Sequence, residues 1–176
     1  MIHRISLAAD DSNVALVELE REKIVKVDAC EIDRITKFSW IARNSKGKFY
    51  ACALDRPKRK GGRYVILMHR LLLGLDIASR DSRFIDHING DSLDNRRSNL
   101  RVATEQQNHW NYPKTHLGHP LFKGVRRHGN RWKAYICLDN KYRHIGSFVT
   151  DIEAAKAYDK AAIELFGEFA KPNFER

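Results

Sequence analysis

A chain of 176 residues, 43% hydrophobic and 31% charged, carries enough apolar surface to fold and is long enough for one ordinary domain or two small ones. No apolar run approaches the roughly 18 residues that span a bilayer, and the first residues lack the sustained apolar core of a signal peptide, so the expectation is a cytoplasmic protein without membrane segments. A net charge of +10 favours polyanionic partners, nucleic acid before anionic membrane.

In chain order, residues 13–19 (Asn-Val-Ala-Leu-Val-Glu-Leu) read as a strand and Asp28 to Ile35 as a short helix. Cys30, Cys52 and Cys137 are odd in number and far apart; they form no CxxC zinc pattern and read as small buried thiols in a reducing compartment. Phe38 to Ala42 and Lys48 to Leu54 form a strand pair around the turn cluster Asn44-Ser45-Lys46-Gly47. Residues 56–63 hold five basic side chains in eight, which reads either as a solvated hairpin tip or as a loop that reaches phosphates. Tyr64 to Met68 is a strand, and His69 to Leu75 a short apolar helix ended by Gly74. Phe84 to Ile88 has strand character, and Asn89-Gly90-Asp91 is a turn signal. Leu100 to Ala103 is a second strand, and Thr104-Glu105-Gln106-Gln107 fits a capping box that starts a helix at Thr104. Asn108 then falls at the end of the first helical turn. The prolines and glycine of 113–120 mark a linker between a front part, 1–112, and a back part, 121–176.

The stretch Asp86-His87-Ile88-Asn89-Gly90, with Asn99 and Asn108, supplies a carboxylate, an imidazole and carboxamides. Phosphodiester hydrolysis needs an activated water and stabilisation of charge on the leaving oxygen. A neutral imidazole can take the water's proton near pH 7. A hard divalent ion on oxygen ligands can stabilise the leaving oxyanion, and Asp86 and Asn108 offer oxygens. Neighbours on an ideal strand point to opposite faces, so a site shared by Asp86 and His87 requires a twisted strand end.

This stretch, with Met68-His69-Arg70-Leu71, Leu93-Asp94-Asn95-Arg96-Arg97-Ser98-Asn99-Leu100-Arg101 and Gln107-Asn108, resembles the HNH homing endonucleases of phages and mobile introns. The resemblance covers about 40 residues within 68–112 and implies a ββα-metal nuclease module. It implies that Asp86 is a metal ligand, His87 the general base, Asn99 the residue that braces the loop and orients the base, and Asn108 the second metal ligand. Asn at the third position, in place of His, argues for one Mg²⁺ or Mn²⁺ per site over zinc. His109 is an alternative ligand. His69 is open between a role at the site and packing, and Arg96 and Arg97 are read as phosphate contacts, with exposed loop charge as the alternative.

In the back part, Phe122 to Arg126, Arg131 to Leu138 and Tyr142 to Phe148 read as three strands, followed by a helix that a second capping box starts at Thr150-Asp151-Ile152-Glu153. Residues 121–148 carry seven Lys and Arg against one acid, Asp139. Ala154, Ala155, Tyr158, Ala161, Ala162 and Leu165 make one apolar stripe that should pack on the sheet, and Gly167 stops the helix. Trp132 is read as core, with a place beside DNA as the alternative.

Phe122-Lys123-Gly124-Val125-Arg126, Trp132-Lys133-Ala134, Ile145-Gly146-Ser147-Phe148, Glu153-Ala154-Ala155-Lys156-Ala157-Tyr158-Asp159 and Ala170-Lys171-Pro172-Asn173-Phe174 resemble the plant ethylene-response-factor (Apetala-type) DNA-binding domain. That resemblance implies a three-stranded antiparallel sheet laid in the major groove and backed by one helix. Lys123 and Arg126 match DNA-contacting positions, and Arg127, Arg131, Lys133 and Arg143 join them as candidates. Tyr135, Cys137, Tyr142 and His144 depart from the plant pattern, so base preference does not carry across.

The expected protein is α+β: a ββα-metal nuclease module with a β-rich N-terminal part, plus a three-stranded antiparallel sheet on one helix. The expected activity is metal-dependent, site-preferring cleavage of double-stranded DNA by a homing-type endonuclease, with no obligatory protein partner and a monomeric chain. The rival is a DNA-binding regulator that keeps the nuclease scaffold without cutting.

Overall fold

Val25 and Val27 are fully buried while Ile24 and Lys26 are exposed, the alternation of a strand with one face on a core. In this computed structural model, which describes residues 4–55, 64–75, 83–112 and 121–174, they belong to the first of four small antiparallel sheets. The basic stretch 56–63 and the expected linker 113–120 lie outside the described residues. Two units separate at Ala103/Thr104, ahead of that linker.

In the first unit, β1 (Ile5–Leu7), β2 (Val14–Glu18) and β3 (Ile24–Asp28) form one sheet in that order. Ala15 faces Val27 and Val17 faces Val25, so the inward positions of two strands fill one core. Each such valine contributes about 1.5–3 kcal/mol when fully buried. A 3-10 turn, Ala29–Glu31, leads into α1 (Ile32–Ile35). The second sheet has β4 (Trp40–Ser45), β5 (Lys48–Asp55) and β6 (Tyr64–Leu67). Its first hairpin turns at Lys46-Gly47, both at positive φ, with Asn44 Oδ1 accepting from Gly47 N. Trp40 is 2% exposed, and its ring N–H donates to Ile35 O. The short helix α2 (Met68–Leu72) buries Met68, His69, Leu71 and Leu72. The strands β7 (Phe84–His87) and β8 (Leu100–Ala103) pair as a two-stranded ribbon. The β-rich front part is as expected; β1 and β3 add to it.

The second unit begins with α3 (Glu105–Trp110), whose Thr104 capping box has both of its hydrogen bonds. The sheet of β9 (Val125–His128), β10 (Arg131–Leu138) and β11 (Lys141–Phe148) has β10 at its centre. Its first strand starts at Val125, not Phe122, because Gly124 at φ +75° breaks the extended run. Against the sheet lies α4 (Asp151–Phe166), capped by Thr150 and Glu153 and stopped by Gly167 at φ +56°. The expected stripe holds at Ala154, Ala155, Tyr158 and Ala162 but ends on buried Phe166. Leu165 is 44% exposed, since the helical step from Ala155 and Ala162 reaches 166. Asp159 ties down the tail by accepting from the backbone N–H of Asn173 and Phe174 and from Asn173 Nδ2.

None of the described helices is long and apolar enough to cross a membrane. All three cysteines are free; Cys52 is buried as expected, but Cys30 is exposed and Cys137 half-buried.

Candidate active site

The turn after β7 owes its shape to side chains bonded back to backbone. Gly90, at φ +82°, donates its N–H to His87 O. Asn89 Oδ1 accepts from Asp91 N, and Asp91 Oδ1 from Leu93 N. Asn99 closes the loop: its Oδ1 accepts from Asn89 N at 2.9 Å and its Nδ2 donates to Asp94 O at 2.8 Å. The front sheets hold the same loop from outside. Lys26 of β3 donates its N–H to Leu93 O and accepts from Asn95 N. Ser92 Oγ donates to Phe49 O, and Arg97 N to the Asp28 carboxylate.

Asp94, 1% exposed, is a buried anion inside this loop. Burial opposes its ionisation, but hydrogen bonds and charge from Arg96, with Asn89, outweigh that and hold its carboxyl below the ordinary range. Arg96, expected at a phosphate, thus commits its guanidinium to Asp94 at 2.6 Å. Arg97 is more exposed and lies 3.6 Å from Glu31.

Asp86 and His87 leave β7 at successive positions and meet different neighbours. Asp86, 3% exposed, pairs across the ribbon with Arg101, whose Nε and a terminal nitrogen both reach Asp86 Oδ2, at 2.8 and 2.6 Å. His87, 7% exposed, has Nε2 3.3 Å from Asn95 Oδ1. Its ring stands edge-on to His69 at 5.3 Å, and Tyr50 of β5 lies 6.0 Å from His69 and 6.4 Å from His87. Burial lowers the pKa of His87, against the opposing pull of Asn95 and Asp86. His69 is pushed down to about 3 by burial first, then by the charges of His87 and Arg70. Both rings are therefore neutral near pH 7, the state a base requires.

Asn108, half-buried, sits in the second unit on α3 and donates its N–H to Thr104 O. His109, next to it, is exposed, with its ring 5.5 Å from that of Tyr112. Among the described residues no three His, Cys, Asp or Glu side chains gather as a metal set. A hard ion that keeps most of its waters needs only one or two carboxylates. Asp86 offers one carboxylate here, with its Oδ2 held by the Arg101 guanidinium at 2.6 Å.

The family profile described as HNH endonuclease matches residues 82–110. An uncharacterized HNH endonuclease of Acanthamoeba polyphaga mimivirus is 34% identical over 142 residues, spanning 79% of this chain and 68% of that relative. The chain belongs to the HNH endonuclease family. The C-terminal third of this HNH-family chain is similar to plant transcription factors. An APETALA2-like protein of Oryza sativa is 46% identical over 61 residues, and an ethylene-responsive transcription factor of Arabidopsis thaliana 47% over 58. Those matches span 33% and 31% of this chain and 14% of each plant protein.

Strand register sorts the basic residues of that third. Arg126 pairs with Lys133, which pairs with Ser147, on the face away from α4; Arg131 and His128 share that face. Tyr135, Tyr142 and His144 lie there too, with Arg126 5.3 Å over the Tyr142 ring and Tyr135 5.2 Å from His144. Arg127 pairs with Trp132, and Arg143 with Ile136, on the helix side, both at exposed margins. Trp132 packs with the core there. Lys123, expected on DNA, instead donates its ammonium to Trp110 O and Tyr112 O, capping the end of α3. Burial pushes its pKa down to about 8, against the charge of Asp159.

Residue types alone pointed to Asp86, His87 and Asn99. Arg101, Asn95 and Tyr50 were missed. Arg101 had a signal: strand pairing around the turn puts opposite charges at 86 and 101. Tyr50 comes from a strand 37 residues ahead of His87, and nothing local in the sequence links them.

Proposed function

We propose that this HNH-family protein is a metal-dependent, site-preferring DNA endonuclease of homing type that hydrolyses phosphodiester bonds. The observation that carries this reading is the neutral, buried His87 held at the end of β7 beside the carboxylate strand position Asp86. His87 takes the proton of the attacking water, and Asn99 keeps the turn that presents it. Asp86 and Asn108 would hold one Mg²⁺ or Mn²⁺, which when bound supplies a Lewis acid for charge on the leaving oxygen. Ring contacts from half-buried Tyr50 and buried His69 keep the His87 ring in place.

The sheet of the second unit supplies the grip on double-stranded DNA. Its outer face carries Arg126, Arg131 and Lys133 with three aromatic rings and no acidic residue among those described. The likeness to plant transcription factors supports this role. Three free cysteines suit a reducing compartment, and the proposed setting is the cytoplasm, with the chain acting as a monomer.

Supercoiled plasmid incubated with the protein, with and without Mg²⁺, tests the reading. Wild type should nick or linearise it only with the ion. His87→Ala should lower cleavage by about 10²–10⁴-fold and still shift DNA in a gel. Binding without cleavage by wild type would favour the regulator; undiminished turnover by His87→Ala would remove His87 as the base.

A further inference from the structure

The helix α3 has six residues, Glu105–Trp110, too few for a helix to be stable by itself in water. Its capping box closes one end, and further support comes from the fold of 121–176. Trp110 stacks on Phe166 of α4, with ring centroids 4.1 Å apart and planes 10° from parallel, and packs against the core that holds Tyr158 and Ala162. One turn back along α3, Gln106 Nε2 donates to Asp139 Oδ1 in the turn between β10 and β11, at 3.1 Å. Carbonyls at the C-terminal end receive the Lys123 ammonium, whose Nζ donates to Trp110 O at 2.6 Å and to Tyr112 O at 2.8 Å. A cation suits that negative end of a helix. Lys123 is itself fixed. Its N–H donates to Asn173 Oδ1 at 2.6 Å, Asn173 Nδ2 donates back to Lys123 O at 3.1 Å, and Asp159 of α4 holds Asn173 Nδ2 at 2.9 Å. A continuous set of bonds thus runs from α4 through Asn173 and Lys123 to the end of α3.

Helical residues four apart share a face, so Gln106 and Trp110 are anchored together and Asn108, midway between them, lies on the opposite side of α3. The HNH profile runs to residue 110, yet the two units divide at Ala103/Thr104, so α3 belongs to the second. The plant-type resemblance gives Lys123 to DNA, but its ammonium is used on α3. We infer that Lys123 and Trp110 are positioning residues of the nuclease: they fix α3, and with it Asn108, on the sheet-and-helix fold. The second unit then supplies part of the cutting machinery as well as the grip. The inference rests on Asn108 serving as a metal ligand, as proposed above.

The test uses the full chain as wild type, as Lys123→Met, which keeps the stem without the donor, and as Trp110→Leu. Hydrogen exchange followed by mass spectrometry reads α3 and α4 separately. In Lys123→Met the amides of 105–110 should exchange about 10-fold faster or more, the effect of losing hydrogen bonds to a charged group, with those of α4 unchanged. Duplex binding should stay at the wild-type level. Plasmid cleavage should fall by about 10–100-fold, and the Mg²⁺ concentration that gives half the maximal rate should rise. Trp110→Leu should behave likewise, and Lys123→Arg should recover most of the protection and the rate. Weaker duplex binding by Lys123→Met with α3 exchange unchanged would make Lys123 a DNA contact and overturn the inference. So would a loosened α3 that leaves the cleavage rate and its Mg²⁺ requirement at wild type. If Lys123→Met fails to fold, Trp110→Leu decides by the same readings. A wild-type protein that never cleaves would sink the endonuclease reading alone, because exchange and duplex binding read the anchoring of α3 without turnover.

Discussion

Two histidines share a buried corner of the first unit, and neither can afford to be charged there. The folded pKa of His69 lies near 3, against 6.5 for a free histidine, with burial the largest cause. Between those values the unfolded chain binds a proton at this position and the folded chain does not. Stability should therefore fall as pH drops from about 6.5 towards 3, and be unaffected by His69 above that window. His87, also lowered by burial, adds a slope of the same sign. Urea midpoints measured from pH 7.5 to 4 should decline in wild type and decline less steeply in His69→Leu, which packs without titrating. Equal slopes would mean that the His69 ring is solvated when folded. The sequence left His69 open between packing and a site role; in the structure it lies on the buried face of α2 with its ring against that of His87.

At the scale of elements, capping and alternation were legible because their signals are local. Both helices predicted from capping boxes start at the predicted threonines, Thr104 and Thr150. The missed strand β3 does alternate, but it follows a cluster of charges, Glu20 to Lys23, that masks a five-residue pattern. The shifted start of β9 has a tertiary cause. Gly124 lies against the Tyr158 ring of α4, where an added Cβ would overlap the ring, and its φ is +75°. Gly129 has a similar φ of +59° but open space around it. Gly129→Ala should thus cost only the backbone penalty, about 1–2 kcal/mol. Gly124→Ala should cost that plus the displacement of a buried tyrosine, about 3 kcal/mol or more in all. Chemical unfolding of the two variants side by side checks this; equal losses would mean that Tyr158 moves aside freely.

At the scale of the whole molecule, the 32 Lys and Arg residues overstate the number of basic side chains free to meet DNA. Arg96 is paired with Asp94, Arg101 with Asp86, and Lys123 caps α3, all bonds that a count of basic residues cannot reveal. The sheet register then separates the remaining candidates by face. On the proposed reading Arg126 and Lys133 point at DNA, while Arg143, opposite buried Ile136, borders the helix side. Each phosphate that a basic side chain neutralises adds about 0.9 to the slope of log affinity against log salt. Arg126→Ala and Lys133→Ala should each lower that slope by about one, and Arg143→Ala should leave it nearly unchanged. Fluorescence anisotropy with one duplex from 50 to 300 mM salt, conditions chosen on the order of those that resolve such slopes, measures all three. Loss of slope in Arg143→Ala but not in Arg126→Ala would put the DNA on the other side of the sheet, where α4 already packs against Ala134 and Ile136.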